Sequence, residues 1–160
     1  MSLSIAWWPL LLNLLWAGAA AVGVAVYFNV PLRTLLGCAL CGASAFTTRT
    51  LLMDSGQFSI ELATGMAASL VTILGVFLGR RWHVPAIIFV VPGVIPLVPG
   101  VRAFQTMIDI LILTTDGIQV NDTLLSDAAV NSIETTLIVC AIAGGIAIPT
   151  LLFRRRRPMT

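Results

Sequence analysis

Five apolar runs, each long enough to cross a lipid bilayer, alternate with short polar turns along this chain. They occupy about residues 8–28, 35–53, 60–78, 85–113 and 128–153. A helix needs about 20 apolar residues to cross a hydrocarbon core of roughly 30 Å. Lipid offers no hydrogen bonds, so a segment that spans it must satisfy its own backbone, which favours helix. Only 10% of the residues are charged and mean hydropathy is +1.00, whereas a soluble domain is roughly 25% charged. The expectation is an all-α integral membrane protein: one transmembrane domain over residues 1–160, five spans, and a basic tail at 154–160. A net charge of +2 is too small for a nucleic-acid-binding face.

The first run could be mistaken for a secretion signal, since Ala17-Gly18-Ala19-Ala20 resembles a cleavage site. Nothing basic precedes it and the apolar character continues to Phe28, so a retained span is expected. Orientation follows from arginine, because the chain has no lysine. Arg33 follows the first span, Arg80 and Arg81 the third, and Arg154 to Arg157 the fifth. With an odd number of spans these all fall on one side, which the positive-inside rule makes cytoplasmic. Asp54, Glu61, Asp116, Asp122, Asp127 and Glu134 collect on the other. The N-terminus is therefore expected outside and the C-terminus inside. Asn29-Val30-Pro31 and Asp54-Ser55-Gly56-Gln57 carry turn chemistry, and a longer polar loop is expected at 114–127.

The fourth run contains a contradiction. Its centre, residues 90–100, is very apolar yet holds Pro92, Gly93, Pro96, Pro99 and Gly100. Proline removes a donor and clashes with the preceding helical turn, and glycine weakens a helix further. The run is also longer than a straight crossing requires. A single span broken near the bilayer midplane uses the excess and keeps the arginines on one side. A re-entrant hairpin, or two spans, would put the basic tail outside. Broken backbone survives at that depth only where protein or a water-filled cavity covers it.

Sorting charges by side leaves Arg49, Arg102 and Asp109 within the membrane, where ionisable groups are costly and point to function. Arg49 lies near the outer end of the second span. Snorkelling to the interface, pairing with Asp54, or a place in a solute pathway are its three readings. Arg102 follows the break, in the first turn of a helix restarting at Pro99, where a missing donor costs nothing. Arg102, Gln105, Thr106 and Asp109 recur at i, i+3, i+4 and i+7 and so share a face. A helix start exposes N–H groups and partial positive charge; beside an arginine it suits a carboxylate. Many secondary transporters bind solute at the midplane with such discontinuous helices. Pro92, Gly93, Pro96, Pro99, Gly100, Arg102, Gln105, Thr106 and Asp109 are therefore expected to form a site for a small anionic or zwitterionic solute. The alternative is a kinked helix held by its neighbours, with Arg102 paired to Asp109 through water or to another subunit.

Asn131, Glu134 and Thr135 open the fifth span, lining an outer vestibule or facing the headgroups. His83, the single histidine, lies beside Arg80, Arg81 and Trp82 as a belt residue or a proton relay. Cys38 and Cys41 have redox spacing without a βαβ context, and read as small residues that let helices approach. Gly75 and Gly79 match the same close-packing pattern. No Ser-His pair, HExxH motif or paired aspartates suited to proteolysis are present, which argues against an enzyme and against a metal or other cofactor.

The stretch "VYFNVPLRTLLGCALCGASAFTTRTLLMDSG", the third span, and "VPAIIFVVPGVIPLVPGVRAFQTMID" resemble the threonine/serine exporter family. The likeness is closer to the small five-span subunit found where that exporter is split into two proteins. It covers about Ala20 to Arg157 and rests on the double Pro/Gly motif, the Asn29-Val30-Pro31 turn and Arg49. It implies export of small amino acids, or of small dicarboxylates such as succinate, driven by the proton motive force across the bacterial inner membrane. It also implies a larger homologous partner bearing a soluble N-terminal region that this chain lacks, although self-association is an alternative. Arg102 and Asp109 come from the physical reading, not from the resemblance. The competing function is a structural or assembly subunit that transports nothing itself.

Overall fold

Each of the first three helices is ended by a residue in the left-handed region or by the turn it makes. The computed structural model describes residues 7–115 and 122–153; the tail 154–160 and the loop centre 116–121, with Asp116, lie outside the described residues. α1 (Trp7–Tyr27) closes where Asn29 takes φ 56. The Val30 amide reaches the Ala25 carbonyl at 3.0 Å and the Asn29 amide reaches Val26 at 2.9 Å, a Schellman pattern. Pro31 then prevents the helix from resuming, and a 3-10 turn (Leu32–Thr34) leads into α2 (Leu35–Asp54). α2 ends at Gly56, φ 67, where glycine carries no Cβ penalty. α3 (Ile60–Trp82) ends at His83, φ 56, with Val84 bonded back to Gly79 at 3.0 Å. Beyond Pro85 come α4 (Ile87–Val94), a 3-10 turn (Ile95–Leu97), α5 (Gly100–Thr115) and α6 (Asp122–Phe153). Among the described residues there is no strand.

Three helical stretches are long and apolar enough to cross a membrane: Leu32–Asp54, Ile60–Trp82 and Ala128–Phe153. A fourth results if Ile87–Leu97 and Gly100–Ile112 count as one span. The apolar helix Leu11–Tyr27 within α1 is shorter. α3 outlasts its expected end at residue 78, and α6 begins well before the expected 128. Hydropathy marks where the hydrocarbon would stop, and a helix can continue past that point into polar surroundings.

The chain divides into two units. The first comprises Met1–Leu97 and Ala141–Thr160, and the second Val98–Cys140. Small residues make up much of the interior of the first: Ala17, Ala21, Cys41, Ala45, Ala67 and Ala68 are buried, together with the larger Val71, Phe89 and Leu97. Large apolar side chains such as Trp16 and Leu36 are exposed, at 72% and 75%. Such broad exposure of large apolar side chains is unlike the surface of a soluble domain. Lipid tails are as apolar as leucine, so helix association depends on close contact between small residues. A Cβ on Gly42 would lie 2.5 Å from Ala21 Cβ, where α1 meets α2, and one on Gly75 would lie 2.6 Å from Val90, where α3 meets α4.

Gly145 makes the tightest backbone approach, between α6 and α3. An added Cβ would fall 2.5 Å from the Gly65 carbonyl oxygen and 2.9 Å from Ala68 Cβ. Backbone cannot move aside as a flexible side chain can. Gly145→Ala is therefore expected to destabilise the protein by about 1–3 kcal/mol, as overpacking does. Its neighbour Gly144 meets nothing within 4 Å, so Gly144→Ala should be neutral or slightly stabilising. Melting of both variants in detergent checks the contrast, and equal melting temperatures would refute it.

Candidate functional site

The Pro/Gly stretch leaves backbone carbonyls without their helical partners. Pro92 has no N–H to offer the Ile88 carbonyl one turn back. The Cys38 thiol of α2 donates to it instead, at 3.4 Å. Pro92, Gly93 and Val94 are buried. A Cβ on Gly93 would lie 2.7 Å from Cys41 Cβ and 2.9 Å from Val71, so this half of the motif packs against α2 and α3. Both cysteines are buried at this contact, in keeping with the close-packing reading drawn from their apolar context despite their redox spacing.

The other end of that segment is capped by charge. Arg49 Nη1 donates to the Leu97 carbonyl at 3.2 Å. Carbonyls at a helix C-terminus carry partial negative charge, and a cation there is favourable. Arg49 thus closes the helical segment that precedes the break. This is a contact that none of its three sequence readings contained, because it joins residues 48 positions apart. Pro96 is half-buried in the 3-10 turn.

In the second unit, α5 begins at Gly100, one residue later than expected. The Pro99 carbonyl accepts from Ala103 at 3.0 Å and the Gly100 amide bonds to Val98 at 2.9 Å. Pro99 is half-buried and Gly100 exposed. Arg102, Thr106 and Asp109 are half-buried, while the other described side chains of α5, Gln105 included, are exposed. Val101, Met107 and Leu111 are exposed at 74%, 73% and 64%. A polar stripe turned inward with apolar residues outward fits a helix in lipid rather than in water.

α6 answers with a stripe of its own. Asn131, Ser132, Glu134 and Thr135 are half-buried, between buried Ala128 and Ile138. Arg102 Nη1 forms an ion pair with Glu134 Oε1. The Arg102 side chain as a whole is 41% exposed, but its paired nitrogen is buried. Asp109 makes no ion pair among the described residues. Seven residues of helix separate it from Arg102 by about 10 Å along the axis, too far for direct contact. The partner is instead Glu134, which sequence reasoning had grouped with the outer acids. The Thr106 hydroxyl donates to the Arg102 carbonyl at 2.9 Å.

Thr135 stands out on its helix. Ser132, Thr136 and Thr150 each donate to the carbonyl four residues back, at 2.6, 2.8 and 2.6 Å. Thr135 Oγ1 is buried with no hydrogen-bond partner among the described residues. Next to Glu134 in the sequence, then, stands a buried hydroxyl not committed to its own backbone. No group of three or more His, Cys, Asp or Glu that could hold a metal ion occurs among the described residues.

Residues 13–152 match the family described as "Threonine/Serine exporter, ThrE". The chain belongs to the threonine/serine exporter family. An uncharacterized protein of Haemophilus influenzae is 37% identical over 150 residues, covering 94% of this chain and 50% of that protein. The chain thus spans about half the length of this relative. No solved structure matches it. The family match runs through both units and includes Arg49, Arg102 and Glu134.

Proposed function

We propose that this chain is a subunit of a secondary exporter of small amino acids, and that Arg102 and Glu134 form its solute site. The observation that carries the proposal is an ion pair on inward polar stripes of two otherwise apolar helices, in a chain of an exporter family. An Arg–Glu pair that opens is complementary to a zwitterion: guanidinium to carboxylate, carboxylate to ammonium. The Thr135 hydroxyl supplies a hydrogen-bond partner for a hydroxyl such as that of threonine or serine. A dicarboxylate such as succinate matches Arg102 equally well but meets repulsion from Glu134 unless that group is protonated. The proton motive force is the proposed drive, with Glu134 and Asp109 as the membrane carboxyls available to carry the coupling proton.

The exporter subunit is proposed to cross the bacterial inner membrane five times, with α4 and α5 forming one broken span. Its N-terminus lies outside and its C-terminal arginines lie in the cytoplasm. Ser55→Cys should then react with an impermeant thiol reagent added to the outside of cells, and Met159→Cys should not. The reverse labelling would overturn this topology. A midplane pathway needs walls on every side, so a larger homologous subunit or a second copy completes it. Efflux of labelled threonine from proteoliposomes, holding the chain with and without that partner, tests the function. A third preparation holds the partner alone, and unchanged efflux from it would take this chain off the transport pathway and favour an assembly role.

A further inference from the structure

An open cavity of ≈ 620 Å³ lies at the C-terminal end of α3, within the first unit, and shares no lining residue with the groups assigned above to solute. Val76, Val84 and Phe153 supply apolar walls, and Arg80 and His83 supply its cationic and imidazole lining. The Arg80 guanidinium lies 5.9 Å from the centroid of the Phe153 ring, close enough for a cation–π contact that steadies it at the cavity. No carboxylate pairs with Arg80 among the described residues. His83 occupies its position through an uncommon non-glycine left-handed backbone, φ 56. That turn uses the Gly79 carbonyl to hold the Val84 amide at 3.0 Å. Arg81 follows Arg80 and is exposed.

Basic pockets at the ends of transmembrane helices accept anionic headgroups, with the phosphate on the cation and the chain along an apolar wall. The volume is within the range of pockets that take a small organic ligand. We propose that this cavity binds the phosphate of an anionic phospholipid, held by Arg80 and His83, with the lipid chain against Val76, Val84 and Phe153. The site is independent of the solute reading, and its test does not involve transport.

The full chain in detergent is titrated with phosphatidylglycerol, phosphatidylcholine or inorganic phosphate, and binding is followed by native mass spectrometry and by melting temperature. Phosphatidylglycerol should bind and raise the melting temperature, while phosphatidylcholine and inorganic phosphate should bind at least about tenfold more weakly. Arg80→Gln combined with His83→Gln should weaken phosphatidylglycerol binding at least about tenfold, the loss expected for a charge-assisted contact. Arg33→Gln, which removes an exposed arginine outside the cavity, should leave it unchanged. Should the double variant lose its melting transition, His83→Asn decides by the same titration, because asparagine suits the left-handed backbone. Equal binding of phosphatidylcholine, equal binding of free phosphate, equal loss in Arg33→Gln, or no loss in the cavity variants would each overturn the proposal.

Discussion

Arg102→Ala is expected to lower threonine export by about one to two orders of magnitude at matched membrane insertion. A charge-assisted hydrogen bond contributes about 1.5–3 kcal/mol, and about 1.4 kcal/mol corresponds to tenfold. Because the Arg102 side chain is 41% exposed, solvent screening favours the lower part of that range. The variant also strands Glu134 without its cation, so some loss could come from folding. Arg102→Lys separates the two effects. Ammonium still neutralises Glu134, but it cannot reproduce the guanidinium fork on a carboxylate. Insertion and melting of Arg102→Lys should therefore approach the parent protein while export stays low. Parental export by Arg102→Lys would reduce Arg102 to a generic positive charge, and parental export by Arg102→Ala would remove it from the site.

Glu134→Gln is expected to change which solute is handled. The substitution keeps the shape of the side chain and removes the negative charge opposite Arg102. A zwitterionic amino acid loses the partner of its ammonium, so threonine binding should fall by roughly tenfold. Succinate loses a repulsive neighbour and gains an unopposed guanidinium, so its relative binding should rise by a similar factor. Competition by each solute against labelled threonine efflux measures both changes. A parallel change for the two solutes would show that Glu134 stabilises the helices without contacting solute.

Much of the architecture was legible in the apolar runs. Helix was required by the unsatisfiable backbone in lipid, and Asn29-Val30-Pro31 and Asp54-Ser55-Gly56-Gln57 marked the turns after α1 and α2. The interruption expected at Pro92–Gly100 is narrower in the structure: α4 runs on through Pro92 and Gly93 to Val94, and a 3-10 turn at Ile95–Leu97 precedes α5. The long-range contacts were not legible. Cys38 donating to Ile88 and Arg49 capping Leu97 are answers to carbonyls that prolines and the break leave without a helical partner. Sequence can announce the need but not which helix will meet it. Glu134 is a candidate vestibule residue in the sequence, but its pairing with Arg102 was hidden for a different reason. As an acid near one end of a span it fitted the outer charge group, and only the α5–α6 geometry matches it to Arg102. A signal did exist: Arg102 needed an acidic partner, and Asp109 on the same helix was too far along the axis to touch it directly.

The central claim is that Arg102 binds the exported solute. Counterflow of labelled threonine in proteoliposomes tests it most directly, because exchange needs solute binding and translocation but no net driving force. The parent protein, reconstituted with its partner, should accumulate labelled threonine against an internal unlabelled pool. Arg102→Lys, inserted and melting as the parent does, should show a half-saturating threonine concentration at least about tenfold higher. An unchanged concentration dependence in that variant would contradict the account.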